Sequence, residues 1–122
     1  MNQNISNKPV YGLEERTFLF AKNVRIFVKT LANTLANIDD GKQVIRSSGS
    51  IGANYREANE ALSKKDFVLR IKISHKEVKE SEYWLRLIAE TNELKNSQEA
   101  QRLIGETIEL KKIFSSILEK SK

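Results

Sequence analysis

Apolar and small residues recur along this chain in alternating steps of four and three. Leu13, Thr17, Phe20, Val24, Phe27, Leu31 and Thr34 form one series, and Val44, Ser48, Ile51, Tyr55, Ala58 and Leu62 a second. Phe67, Ile71, Ser74, Val78, Ser81, Leu85 and Ile88 make a third, and Ala100, Leu103, Thr107, Leu110, Phe114 and Ile117 a fourth. Such steps keep side chains on one face of an α-helix, whereas a strand needs alternation in twos. The spacing predicts four helices, over residues 13–36, 43–62, 63–94 and from a cap at Asn96 or Ser97 onward. Asp40-Gly41 in "NIDDGK" reads as the first turn. Ser63, with Asp66 three residues later, reads as the N-cap of the third helix, and Glu99 is placed for a capping box with Asn96. Short connections between long helices favour antiparallel neighbours. The expected fold is therefore all-α: an antiparallel, up-down-up-down four-helix bundle over residues 13–122, behind a polar N-terminal leader, residues 1–12.

The second series runs through "RSSGSIGANYREANEA", residues 46–61, where propensity alone would place a loop. Each glycine in a helix costs about 0.5–1 kcal/mol relative to alanine. Ser48 and Gly52, and Gly49 and Ala53, are each four apart, so a helix here would carry a smooth groove. A neighbouring helix could approach closely there and gain dispersion contacts that offset the cost. Near the end of the third helix a second apolar stripe opens at Trp84, Leu87 and Leu94. One helix with two apolar faces suggests two burials, one inside the bundle and one against another subunit.

Composition narrows the class. The chain has 122 residues, 30% charged and 39% hydrophobic, which suits one soluble helical domain. With no cysteine, neither disulfides nor thiolate chemistry is available, as in cytoplasmic proteins. The longest apolar run, Phe18 to Ala21, is far too short to span a bilayer, and the leader has no basic stretch followed by an apolar one. No membrane role is expected. The net charge of +5 arises from 21 basic residues interspersed with 16 acidic ones. A modest excess of this kind fits either contact with a polyanion or a solvated basic surface.

Candidate chemistry is sparse. "SGSIG" approaches the nucleophile-elbow pattern with Ser50 in the serine position, but that motif needs a preceding strand, and here the helical period runs through it. P-loop spacing is absent. His75 is the only histidine and cannot complete a zinc site without cysteines. Glu77, Glu80 and Glu82 lack the Glu-x-x-His pattern of di-metal bundles. No catalytic residue, metal site or cofactor is expected. Lys65, Lys72, Lys79 and Arg86 recur every seven residues, with Lys76 and Tyr83 on the same face, a stripe that could follow phosphates or simply be solvated. Lys22, Arg25 and Lys29 form a shorter basic set on the first helix. Asn54, Arg56, Glu57, Glu77 and Glu80 are candidates for a polar cluster between helices two and three, or for exposed pairs within each helix. No alternating aromatic-basic pattern marks a base-stacking platform.

Two stretches, "YGLEERTFLFAKNVRIFVKTL" and "RSSGSIGANYREANEALSKKDFVLRIKISHKEVKESEYWLRLI", closely resemble the four-helix bundle proteins encoded in intervening sequences of bacterial 23S rRNA genes. The resemblance covers residues 11–90. It implies an antiparallel four-helix bundle, commonly a homopentamer, whose five-fold contact is a candidate for what the small-residue run (Ser48, Gly49, Gly52, Ala53) packs against; Trp84 and Leu87, on the extra apolar face, are further candidates for a subunit surface. The chain is also similar to the accessory variability protein of diversity-generating retroelements, which implies RNA or DNA and a reverse transcriptase as partners. A protein-interaction scaffold whose charge is incidental is the competing expectation.

Overall fold

The computed structural model describes residues 12–93 and 97–122. Four helices follow one another: α1 (Leu13–Val28), α2 (Leu35–Asn59), α3 (Lys64–Thr91) and α4 (Ser97–Lys120). Residues 1–11 of the expected leader, the Asn96 cap and Leu94 of the second apolar stripe lie outside the described residues.

The four periodic faces meet in one core. Phe20, Val24 and Phe27 of α1, Val44, Ile51 and Ala58 of α2, Ile71, Val78, Leu85 and Ile88 of α3, and Leu103, Leu110 and Phe114 of α4 are all buried. Tyr55 meets Phe114 edge-on, with ring centroids 5.9 Å apart. Leu62 departs from its expected place. It stands fully exposed in the turn after α2, because that helix ends at Asn59, three residues before the heptad would carry Leu62 inward.

The first turn also differs from expectation. It lies at residues 29–34, and α2 begins at Leu35, so Asp40 and Gly41 sit inside a helix. The deciding signal is Thr34. Its side chain accepts a hydrogen bond from the Asn37 backbone N–H at 3.1 Å, as an N-cap does. Asn37, 5% exposed, then fixes the corner: its amide nitrogen donates to Ala32 O at 2.9 Å and to Asn92 Oδ1 at 2.8 Å. Asn92 donates in return to Asn37 Oδ1 at 2.9 Å and to Ile88 O at 2.8 Å. This reciprocal amide pair ties the α1–α2 turn to the end of α3. At the other end of α3, Ser63 caps as expected, accepting from Asp66 N at 3.1 Å.

All three glycines of α2 face α1. A Cβ on Gly41 would stand 3.0 Å from Val28 Cγ1, one on Gly49 3.1 Å from Arg25 Nη2, and one on Gly52 2.9 Å from Thr17 Oγ1. On its opposite side α2 meets α3 through serines. Ser47 and Ser81 share a 2.8 Å hydrogen bond, and Ser74 donates to Ile51 O at 2.9 Å. Among the described residues the α2–α3 pair is the most extensively packed of the helix pairs. Helix α4 packs on α3 and is tied to α1 by Arg16, which grips both oxygens of Glu106 at 2.7 and 2.8 Å. That hydrogen bonding holds the Arg16 pKa above its ordinary value, against the opposing effect of burial.

Removing Asn92 leaves the Oδ1 of the buried Asn37 without its partner. Asn92→Ala should lower the unfolding free energy by about 1–3 kcal/mol. Thr34→Ala, which removes only the helix cap, should cost about 1 kcal/mol. Urea unfolding of the two variants beside the parent checks the order.

Candidate nucleic-acid interface

The basic stripe of α3 follows from its helical period. Lys65, Lys72, Lys76 and Lys79 project from the face opposite Ile71, Val78 and Leu85, and all four are exposed. None of the four has a carboxylate within ion-pair distance among the described residues. From Lys65 to Lys79 they span about 20 Å of helix. Arg86 differs, because it meets Glu90 at 3.4 Å and part of its charge is answered on its own helix. Tyr83, between Lys79 and Arg86, is 58% exposed and turns its ring edge-on to Trp84 at 5.0 Å.

His75 lies at the edge of this face, with Ser115 Oγ of α4 3.1 Å from Nε2. Burial, then the charges of Lys79 and Lys111, push its pKa below the ordinary 6.5. Lys111 itself pairs with Glu82 at 2.9 Å.

The five residues of the expected polar cluster separate into different sites. Glu77, nearly buried at 6% exposure, and Glu80 both bind Arg46, at 3.4 and 2.9 Å. Asn54 bonds to Ser50 within α2, and its Oδ1 accepts from Arg70 Nη1 of α3 at 3.0 Å. Arg56 turns away to line the α1–α2 groove, and Glu57 is exposed. Arg46 and Arg70, which sequence reasoning missed, are thus the cations that join α2 to α3. Both lie in the periodic stretches already singled out, but only the register between helices shows which carboxylate or amide each one meets.

Of the candidate packing residues, Ser48 is buried, Gly49 and Gly52 lie under α1 of the same chain, and Ala53 is exposed beside them. Trp84 is half-buried against the core, and its Nε1 is enclosed with no hydrogen-bond partner among the described residues. Leu87 is half-buried in a shallow depression with Tyr83, Arg86 and Glu90. On α1, Lys22, Arg25 and Lys29 are exposed, and Arg25 folds back to donate to Ala21 O at 3.0 Å and Ile45 O at 3.3 Å. Ser50 is half-buried in mid-helix, where it accepts a hydrogen bond from Asn54. Among the described residues no group of three or more histidine, cysteine or carboxylate side chains could hold a metal, and no helix is long and apolar enough to cross a membrane.

An all-α chain of four mutually packed helices, with a glycine- and serine-faced second helix and a lysine-striped third, defines a four-helix bundle class. The chain belongs to the 23S rRNA-intervening sequence protein family, whose family model matches residues 14–116. It is also similar to a protein of unknown function from the S23 ribosomal protein family of Bacteroides thetaiotaomicron, known from a crystal structure at 1.70 Å resolution. The two chains are 33% identical over 88% of this chain and 98% of the other, with a TM-score of 0.78. No functionally curated protein matches.

Because His75 is the only histidine, its titration is readable without assignment. Its NMR midpoint should fall below 6.5. A depressed folded-state pKa means that the unfolded chain takes up the proton first as pH falls. Stability present above pH 6.5 should therefore decline as pH drops through the folded midpoint. His75→Gln should flatten that part of the melting-temperature profile.

Proposed function

We propose that this protein is a non-enzymatic, oligomeric bundle that binds nucleic acid weakly, without sequence preference, through the cationic face of α3. The observation that carries this reading is the row Lys65, Lys72, Lys76 and Lys79, exposed along one face with no carboxylate partner among the described residues. A phosphate backbone released of its counterions is the ligand such a row fits. The helices are antiparallel neighbours in this reading. Its support is that partner numbers fall along α2 as they rise along α1, from Glu14–Asn59 to Arg25–Ile45, and likewise between α2 and α3 from Arg46–Glu80 to Asn54–Arg70.

Assembly as a homopentamer rests on the family resemblance, with Trp84 and Leu87 as interface candidates. Five copies would carry about +25 and would add weak contacts through multivalency. We place the protein in the cytoplasm, with a reverse transcriptase as one candidate protein partner. A scaffold role is the second reading. It is favoured by exposed apolar side chains outside the stripe, notably Leu35 at 84% and Ile26 at 51% exposure.

Replacing Lys72, Lys76 and Lys79 by glutamate should leave the bundle folded and abolish mobility shifts of RNA and DNA. The parent's shift should weaken as salt rises. Equal retention of both proteins would make the stripe only a solvated face, and no shift for either would favour the scaffold. Light scattering should give a mass near five chains, and a monodisperse single chain at micromolar concentration would remove the pentamer from the proposal.

A further inference from the structure

Away from the α3 stripe, a groove of about 490 Å³ lies between α1 and α2. Its floor is closed by Arg25 over Gly49 and by Thr17 over Gly52, with Ala53 exposed beside them. Phe18 stands in its α1 wall with 57% of its surface exposed. Two other lining residues are cations: Lys22, four residues further along α1, and Arg56 from α2. Neither has a carboxylate within ion-pair distance among the described residues. Arg25, whose guanidinium lies over Gly49, donates to two backbone carbonyls and also lines the groove. Among the described residues the only acidic one lining it is Glu14, which accepts a 2.8 Å hydrogen bond from Asn59.

We infer that this groove binds single-stranded nucleic acid, with a base stacked on Phe18 and the flanking phosphates met by Lys22 and Arg56. The inference rests on the nucleic-acid reading above but assigns a second site with a different selectivity. Three cations against one carboxylate call for an anionic occupant. One exposed aromatic ring offers a stacking face for a single planar group, whereas an amphipathic helix needs several apolar pockets in a row. Base-on-aromatic stacking tolerates any sequence and requires an unpaired base, since duplex bases keep their faces against one another. The α3 lysines offer charge to either form, and the exposed ring of Tyr83 beside them is already engaged edge-on with Trp84. Phe18 therefore supplies the preference for single strands.

The test is fluorescence anisotropy with labelled oligothymidylate of about 20 nucleotides, beside a duplex of similar length. The parent, F18A, F18W, K22E/R56E and the α3 triple variant are compared at one salt concentration. F18A should weaken single-strand binding about tenfold and leave duplex binding within about twofold, and F18W should restore the parent value. K22E/R56E should weaken the single strand more than the duplex. Phe18 is largely exposed, so the melting temperature of F18A should stay close to the parent's. An equal effect of F18A on both ligands, or none on either, would overturn the groove assignment. If only the α3 triple variant loses binding, the stripe stands and the groove falls. If the parent binds neither ligand, both fall. Binding of a glutamate- and leucine-rich helical peptide that F18A and K22E/R56E abolish, with oligothymidylate unaffected by these changes, would assign the groove to a protein partner and overturn the inference.

Discussion

The fold depends on how closely α1 and α3 approach the thin helix between them. At Gly52 the approach leaves no room for a methyl group, because Thr17 Oγ1 would stand 2.9 Å from it. Thr17 cannot easily yield, since its hydroxyl is held by Leu13 O and Glu14 O at 2.9 and 3.0 Å and its β-branched side chain is stiff. On the other side the close approach is mediated by serines, small enough to fit and each supplied with a partner by its neighbour. Glycines that would weaken an isolated helix are offset here by dispersion and by buried hydroxyls that are all satisfied.

That constraint sets what the outer surface presents. With the apolar face of α3 turned to α2 and α4, its lysines are forced outward as a continuous row. With α1 laid over Gly49 and Gly52, Phe18 and Lys22 come beside Arg56, which the sequence places nearly forty residues away. The stripe follows from the period of α3 itself, and the groove from the register of α1 against α2. The polar links follow the same logic: Arg46 holds the nearly buried Glu77 because the Ser47–Ser81 contact fixes the register of α2 against α3. A buried carboxylate needs such a cation.

Much of this was readable from one sequence. The heptad steps located four helices, carried the second through its glycines, and named nearly every core residue. The misreadings share one cause. Asp40-Gly41 has turn chemistry, but whether it turns depends on Val28 lying against Gly41 and on Asn37 finding Asn92, both tertiary facts. Leu62 fits the period and is exposed because α2 stops at Asn59. The pairing of Arg46 and Arg70, and the exposure of Phe18 within an apolar run, depend on the offset between neighbouring helices, which periodicity does not encode.

The most direct measurement of the central claim is a double-mutant cycle between Thr17 and Gly52, followed by urea unfolding. Gly105 of α4 supplies the reference, because a Cβ there would meet nothing within 4 Å. G105A should stabilise the protein by about 0.5–1 kcal/mol, the ordinary gain of alanine over glycine in a helix. G52A should destabilise it, and T17A should relieve part of that loss, giving a coupling of about 0.5–3 kcal/mol. If G52A is as stabilising as G105A and its effect adds independently to that of T17A, α1 does not press on α2 there, and the account is contradicted.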